Sequence, residues 1–404
     1  MTEFPTRLFF DDALTIVSNT AAANRLPLET LALSRAHGRI LAQDVIASMP
    51  LPSFDNSAMD GFAFRRADIG SGETALRLGG EQFAGRALGL ACGEGECIRI
   101  TTGAPMPASA DTVVMKERVR VEGDRVFIPG DIKPGAHVRR AGEDVRIGDE
   151  VLKAGIVLAP ARIALTASLG VDSLEVSQRP TVAVFTTGDE LVEPGMPLQS
   201  GEIYNSNREL LMGLLRADGL EPTAWPTLPD DPARLASMLR DAAGAFDVVI
   251  TCGAVSAGEK DHIPALLVRD GRMHFWKVMM KPGMPLLLGQ LDRAQFLGLP
   301  GNPVSVFATY LTLGRALLDG MQGRSEPRPT YFARLATPWR KTHERREFLR
   351  GQLGWQTDGT LSVQPNPADG SHRMRAAADS DALIVLQEGV HDYAAGAIVE
   401  VLPY

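Results

Sequence analysis

At 404 residues, 45% of them hydrophobic, the chain exceeds the length at which a single hydrophobic core keeps growing, and roughly two to four domains are expected. A formal net charge of -8 excludes the broad basic field that nonspecific binding to nucleic acid or an anionic membrane requires, so an anionic ligand must meet local cations. Cys92, Cys97 and Cys252 show no CxxC spacing, which argues against a disulfide framework or a zinc site and favours a reducing cytoplasm.

The N-terminal segment has no basic leader region and places Asp11 and Asp12 where a signal peptide would be apolar; with no long apolar run anywhere, a soluble, unprocessed protein is expected. Asp11 or Asp12 reads as the N-cap of an amphipathic helix through Ile16 and Val17, leading into short strands near residue 48. From about 50 to 138, short apolar runs at 75–78, 97–100, 112–115 and 125–128 alternate with Gly and Pro, which predicts a small antiparallel β domain. Residues 140–178 return to mixed structure, with a helix opened by Pro160.

From 180 to about 323, strands and helices alternate as in a doubly wound parallel sheet. Asn207 reads as the cap of a helix over 208–218 whose Leu210, Leu211, Leu214 and Leu215 form one stripe; Asp231 with Pro232 and Asn302 with Pro303 open two more. The SEPRP linker at 325–329 closes this unit, and alternating runs at 382–386 and 397–402 predict a small β-barrel or sandwich. The fold class is therefore multidomain α/β: a mixed unit at 1–50 with 139–179, a small β domain at 51–138, an α/β domain at 180–326 and a β-barrel-like domain at 327–404.

Three segments run from apolar strand into a loop of small or polar residues: TVAVFTTGDE at 181–190, DVVITCGAVSAGEKDHI at 247–263 and FLGLPGNPVS at 296–305. Strands buried on both faces of a sheet can offer polar chemistry only where they stop, so three such loops can converge on one crevice. Gly-rich stretches at 101–107, 186–188, 253–258 and 301–305 read as anion cradles, the last backed by a helix N-terminus; singly, each is more often an ordinary turn, and their recurrence after successive strands carries the reading.

The acidic candidates are Asp60, Glu143, Asp144, Glu190, Asp230, Asp231 and Asp261. Carboxylates on loops after strands suit Mg²⁺, which takes one or two of them together with water and substrate phosphate. Asp231 reads as a cap, Asp189 and Glu190 equally as turn residues or ligands, and Asp60 and Asp261 as functional. The basic candidates are Lys277 and Lys281 in KVMMKPGMP, with Arg350, Arg373 and Arg375 beyond. Lysines four apart on one strand would face the same side. An ion contact at about 4 Å contributes about 4 kcal/mol at an effective dielectric near 20, before desolvation, so a pair suits a polyphosphate or a dianion better than one lysine. There is no GxSxG elbow, Walker loop or HExxH pair, and Cys252 reads as a small buried hydrophobe.

Taken together, PSFDNSAMDGFA, TTGAPMP, TTGDEL, IYNSN, the Gly/Ser loop ending at Asp261, the KPG segment and GLPGNPVS resemble, in order along nearly the whole chain, the MoeA type of molybdopterin molybdenumtransferase, a family that includes the C-terminal domain of gephyrin. The resemblance implies that the 180–326 unit is a MogA-like molybdopterin-binding domain and that the 1–50 with 139–179 unit serves a homodimer. It implies insertion of molybdate into the dithiolene of adenylylated molybdopterin with Mg²⁺-dependent release of AMP. Asp60, Glu190, Asp261, Lys277 and Lys281 are then catalytic, the three carboxylates holding the metal. Thr102, Asp144, Gly188, Asp230, Ser256, Gly258, Pro300, Asn302, Pro303, Ser305, Arg350 and Ser371 bind substrate, with the oxyanion beside Lys281 and Arg350. A molybdopterin adenylyltransferase and downstream cofactor-handling proteins are the implied partners.

Because Asp60 and Arg350 are distant in sequence from the sheet, the site calls for a dimer or domain closure. Two departures matter: KPGMP replaces the family's KPGKP, so Met284 removes a cation near the oxyanion, and Gly253–Ala254 replaces a Gly-Gly pair, tolerable if the alanine keeps a negative φ. An adenylyltransferase and a non-enzymatic scaffold are the competing readings.

Overall fold

The computed structural model describes residues 4–256 and 262–404. Its centre is a seven-stranded sheet in the order Thr6–Leu8, Arg272–Val278, Leu287–Leu291, Ala294–Leu299, Val248–Cys252, Val182–Thr186, Thr223–Ala224. Strand side chains alternate between two cores: Val182, Val184, Val248 and Ile250 join the cluster of Leu211, Leu215 and Tyr310, while Ala183, Phe185 and Val249 join that of Leu235, Leu239 and Leu267. Both faces are thus covered by helices, the reason these strands read as continuous apolar runs.

The sheet is not all parallel, as the strand-helix alternation suggested. Leu287–Leu291 pairs antiparallel with both Ala294–Leu299 and Arg272–Val278. Its turn at Asp292 and Arg293 is two residues long, with Asp292 at φ 50° in the left-handed region that tight hairpins use. Nor does the N-terminus stay with the mixed unit. Thr6–Leu8 adds a parallel edge strand, and the helix Phe10–Ala23 buries Phe10, Ala13, Val17 and Ala21 in the central core. The cap of that helix is Phe9; Asp11, one of the expected caps, lies in the first turn and accepts from Arg346 of the C-terminal barrel at 2.6 Å.

The next helix of the α/β unit, Ser206–Ala217, is capped by Asn205 rather than Asn207, whose side-chain amide instead donates to the Gly301 carbonyl at 2.7 Å. Asp231 caps Pro232–Ala245 as expected, accepting from the Arg234 amide at 2.7 Å.

The six-stranded sheet between 61 and 128 departs from the all-antiparallel expectation in one pair: Thr74–Gln82 runs parallel to Glu96–Ile100. Strand pairs Leu28–Ala32 with Ser173–Ser177 and Val45–Ile46 with Glu150–Leu152 bring distant segments of the mixed unit together. In the C-terminal region Arg346–Trp355, Leu361–Pro365, Tyr331–Leu335, Ile398–Pro403 and Ala382–Leu386 close into a barrel, the last strand returning to the first. The short strand Met280–Lys281 leaves the central unit and pairs parallel with this barrel, Met280 opposite Arg346 and Lys281 opposite Glu347.

Glu326, on the linker into the barrel, accepts from Arg162 at 2.6 Å and from the Val157 amide at 2.9 Å. The Arg162 bond, followed by the amide, holds its carboxyl down at about 2, against an ordinary 4.5. A depressed folded value stabilises the fold fully above the unfolded pKa, and that contribution fades as pH falls toward about 2. Unfolding midpoints of Glu326→Gln should fall less steeply with acid than those of the parent chain; identical acid limbs would contradict this.

Candidate functional site

The ends of Val182–Thr186, Val248–Cys252 and Ala294–Leu299 open into one cleft, as the three strand-to-loop breaks predict. One part, about 340 Å³, is lined by Gly188, Glu190, Asp230, Ala254, Ser256 and Pro300. It adjoins a larger cavity of about 680 Å³, which shares Glu190, Ser256 and Pro300 and reaches Lys281, Asn302, Ser305, Arg345, Asp369 and Ser371. The second cavity therefore lies between the α/β unit and the barrel.

Gly188 sits at φ 130°, and a Cβ there would meet the Glu190 carboxylate at 2.5 Å, so only glycine lets that side chain fold back over the loop. Glu190 is exposed, and its carboxylate has no hydrogen-bond or ion-pair partner among the described residues. The Asp189 carboxylate caps the Asp230 amide at 3.4 Å, a turn role. The loop after Val248–Cys252 turns through Gly253 at φ 100° and Ala254 at φ 55°. The alanine thus occupies the left-handed region, not the negative φ that would make it harmless. Ala254→Gly should relieve about 1 kcal/mol of backbone strain, read as a rise in denaturant midpoint; a lower midpoint would contradict the assignment. Gly258 and Asp261 lie outside the described residues.

Lys281 is half-buried, its ammonium 2.9 Å from Glu347 and 3.2 Å from Asp369. Burial pulls its pKa down, but these two carboxylates more than offset that and raise it, so it stays charged. Lys277 does not share its face. The backbone breaks at Lys277, φ 71°, and Lys277 lies over the Trp276 ring at 4.2 Å, while Trp276 Nε1 donates to the Val255 carbonyl at 2.7 Å. Neither cavity is lined by Lys277.

The 300–305 loop is held from three sides. Asn302 Nδ2 donates to Ser371 Oγ at 3.0 Å, Asn207 holds the Gly301 carbonyl, and the Val304 amide donates to the Ser371 carbonyl at 3.2 Å. The Ser305 and Val306 amides bond back to the Asn302 carbonyl, so the helix end behind Pro303 does not offer the open amides expected of an anion cradle. Arg350 is also displaced from its expected place. It is 1% exposed, its guanidinium donates to the Ala368 carbonyl, and it lines neither cavity; Arg345, which no motif singled out, does.

Asp60 and Thr102 come together elsewhere. Asp60 accepts from the Thr102 amide at 2.9 Å, its hydroxyl at 3.0 Å and Lys116 at 3.4 Å. These contacts, the amide foremost, lower its pKa. It lines a separate cavity of about 290 Å³ with Glu81, Arg99 and Lys116, sharing no residue with the cleft. Asp144 is exposed on a turn whose amide bonds the Leu51 carbonyl, and it lines none of these cavities. Within one chain, then, Asp60 and Glu190 do not form a single metal site, and among the described residues no group of three His, Cys, Asp or Glu is placed to hold an ion.

Three family models match in series: MoeA N-terminal region (domain I and II) over residues 8–170, probable molybdopterin binding domain over 183–319, and MoeA C-terminal region (domain IV) over 333–404. The molybdopterin molybdenumtransferase of Haemophilus influenzae is 39% identical over 379 residues, 93% of this chain and 94% of that one. The chain belongs to the molybdopterin molybdenumtransferase family. Molybdopterin molybdenumtransferase 2 of Mycobacterium tuberculosis is 38% identical over 384 residues, 92% of this chain and 94% of the relative. Among solved structures, the molybdopterin biosynthesis moeA protein of Pyrococcus horikoshii superposes with a TM-score of 0.85 at 27% identity, covering 98% of this chain and all of that one. In this member of the family Met284 lines the same cavity as Lys281, so the missing lysine of the KPG segment falls in the cleft itself.

Proposed function

We propose that this chain inserts molybdate into the dithiolene of adenylylated molybdopterin and releases AMP, in an Mg²⁺-dependent reaction at the cleft between the α/β unit and the barrel. The observation that carries the reading is the cleft's division into two adjoining parts, one with acidic Glu190 and Asp230, the other with cationic Lys281 and Arg345. A phosphoanhydride accompanied by a divalent cation suits the first, and a tetrahedral dianion the second.

Two carboxylates on one wall fit Mg²⁺, so Glu190 and Asp230 would hold it together with substrate phosphate, with Asp261 the further carboxylate that the family resemblance supplies. Bound there, the ion neutralises charge developing on the phosphates. The protein's own part is orientation. Ser256, Pro300 and Ser305 shape the wall, Asn302 holds Ser371, and Lys281 presents its ammonium to the cavity; water's oxygen bonds to the pterin-side phosphorus, the P–O bond to AMP breaks with its electron pair leaving on AMP, and the proton released passes to solvent.

Asp60, Thr102 and Lys116 enter in this reading from a second copy, since they are preassembled around their own cavity but apart from the cleft. A homodimer follows, with sites shared between subunits. The three buried, unpaired cysteines suit a reducing cytoplasm. Among the described residues no helix is long and apolar enough to cross a membrane. The nucleotide substrate would come from a molybdopterin adenylyltransferase.

Anaerobic AMP release from adenylylated molybdopterin, with and without molybdate and Mg²⁺, tests the proposal. Release that needs both supports it; ATP consumption with free molybdopterin would favour an adenylyltransferase instead.

A further inference from the structure

We infer that Arg345 is the second cation of the oxyanion-binding half of the cleft, supplying the charge that Met284 leaves out. The inference rests on the molybdate insertion proposed above. Lys281 alone is a poor dianion receptor in this chain. Its ammonium has three donors, and Glu347 and Asp369 already accept from it at 2.9 and 3.2 Å. Glu347 is only 3% exposed, so that contact is not lost to water. Of the charged side chains that line this cavity, Glu190 and Asp369 outnumber Lys281, so the lining without Arg345 is net negative and repels a dianion, whereas Arg345 brings it to neutrality.

Arg345 differs from Lys281 in being uncommitted. It is half-buried at the cavity wall, and no acceptor among the described residues bonds its guanidinium. A planar fork of N–H donors can meet two oxygens of one oxyanion at once, which a lysine at position 284 could not. Its placement is built into the sheet. Arg345 immediately precedes the barrel strand Arg346–Trp355, whose first residues pair with Met280 and Lys281, so its backbone is fixed relative to the KPG segment. Arg350 has a different part: buried and bonded to the Ala368 carbonyl, it steadies the loop that carries Asp369 and Ser371.

The test compares the full-length chain with Arg345→Ala, Arg345→Lys and the double variant Arg345→Ala/Met284→Lys. AMP release is followed against molybdate, and adenylylated molybdopterin affinity is titrated without molybdate. Loss of a charged hydrogen-bond donor should raise the half-saturating molybdate concentration about tenfold to a hundredfold in Arg345→Ala. Nucleotide affinity should hold, and Arg345→Lys and the double variant should recover part of the loss. An unchanged half-saturating concentration in Arg345→Ala overturns the inference. If the parent chain shows no molybdate-dependent release, the functional reading fails instead, and equilibrium dialysis of molybdate against parent and Arg345→Ala still decides the residue's role: equal binding by the two overturns it.

Discussion

Glu190→Gln is expected to lower molybdate-stimulated AMP release by about a hundredfold to a thousandfold while leaving the thermal midpoint unchanged. The size follows from position. Among the described residues Glu190 is the one carboxylate that lines both parts of the cleft, so its charge would face the substrate phosphates and a cation held beside them. Stability is spared because the side chain is exposed, has no partner among the described residues and is replaced by an isostere. Steady-state rates beside a melting curve check both halves; a variant within a few-fold of the parent rate would remove Glu190 from the site.

Asp60→Asn should be as damaging, yet equal mixing of the two inactive variants should restore roughly a quarter of the parent activity. In a shared-site dimer, half of the molecules formed by random exchange are mixed, and each of these has one site free of both substitutions. Asparagine keeps an oxygen to accept from the Thr102 amide, so the local turn survives. Activity of the mixture no higher than that of its components, with subunit exchange shown by mass, would mean that Asp60 does not reach the cleft of a partner.

The parts of this fold that were legible in the sequence are those fixed locally. Strand Val248–Cys252 is buried throughout because both of its faces are covered, Asp231 with Pro232 after it marks a helix start, and the runs read at 382–386 and 397–402 fall on the barrel strands Ala382–Leu386 and Ile398–Pro403. Long-range pairing decided the rest. Nothing near Thr6 indicates that it will lie opposite Trp276, and nothing in KVMMKPGMP indicates that the chain changes sheets between Lys277 and Lys281. Asn205 and Asn207 have the same capping chemistry, and the contact with Gly301 assigns the roles.

The site divides in the same way. Glu190, Ser256, Pro300, Asn302 and Ser305 come together because each ends or follows a strand of one sheet. Arg345 and Asp369 belong to the C-terminal region and follow none of the sheet's three strand-to-loop breaks, and the register of Lys281 on Glu347 sets that region against the cleft. Arg350 stands five residues beyond Arg345 on the adjoining strand, but its side chain is buried.

The most direct test of molybdate insertion is the stoichiometry of the two products: AMP released and molybdenum retained on the pterin, measured by chromatography and elemental analysis in one anaerobic reaction. Equal amounts, both abolished by omitting molybdate, are the predicted result. AMP released at the same rate without molybdate, with no metal on the pterin, would contradict it.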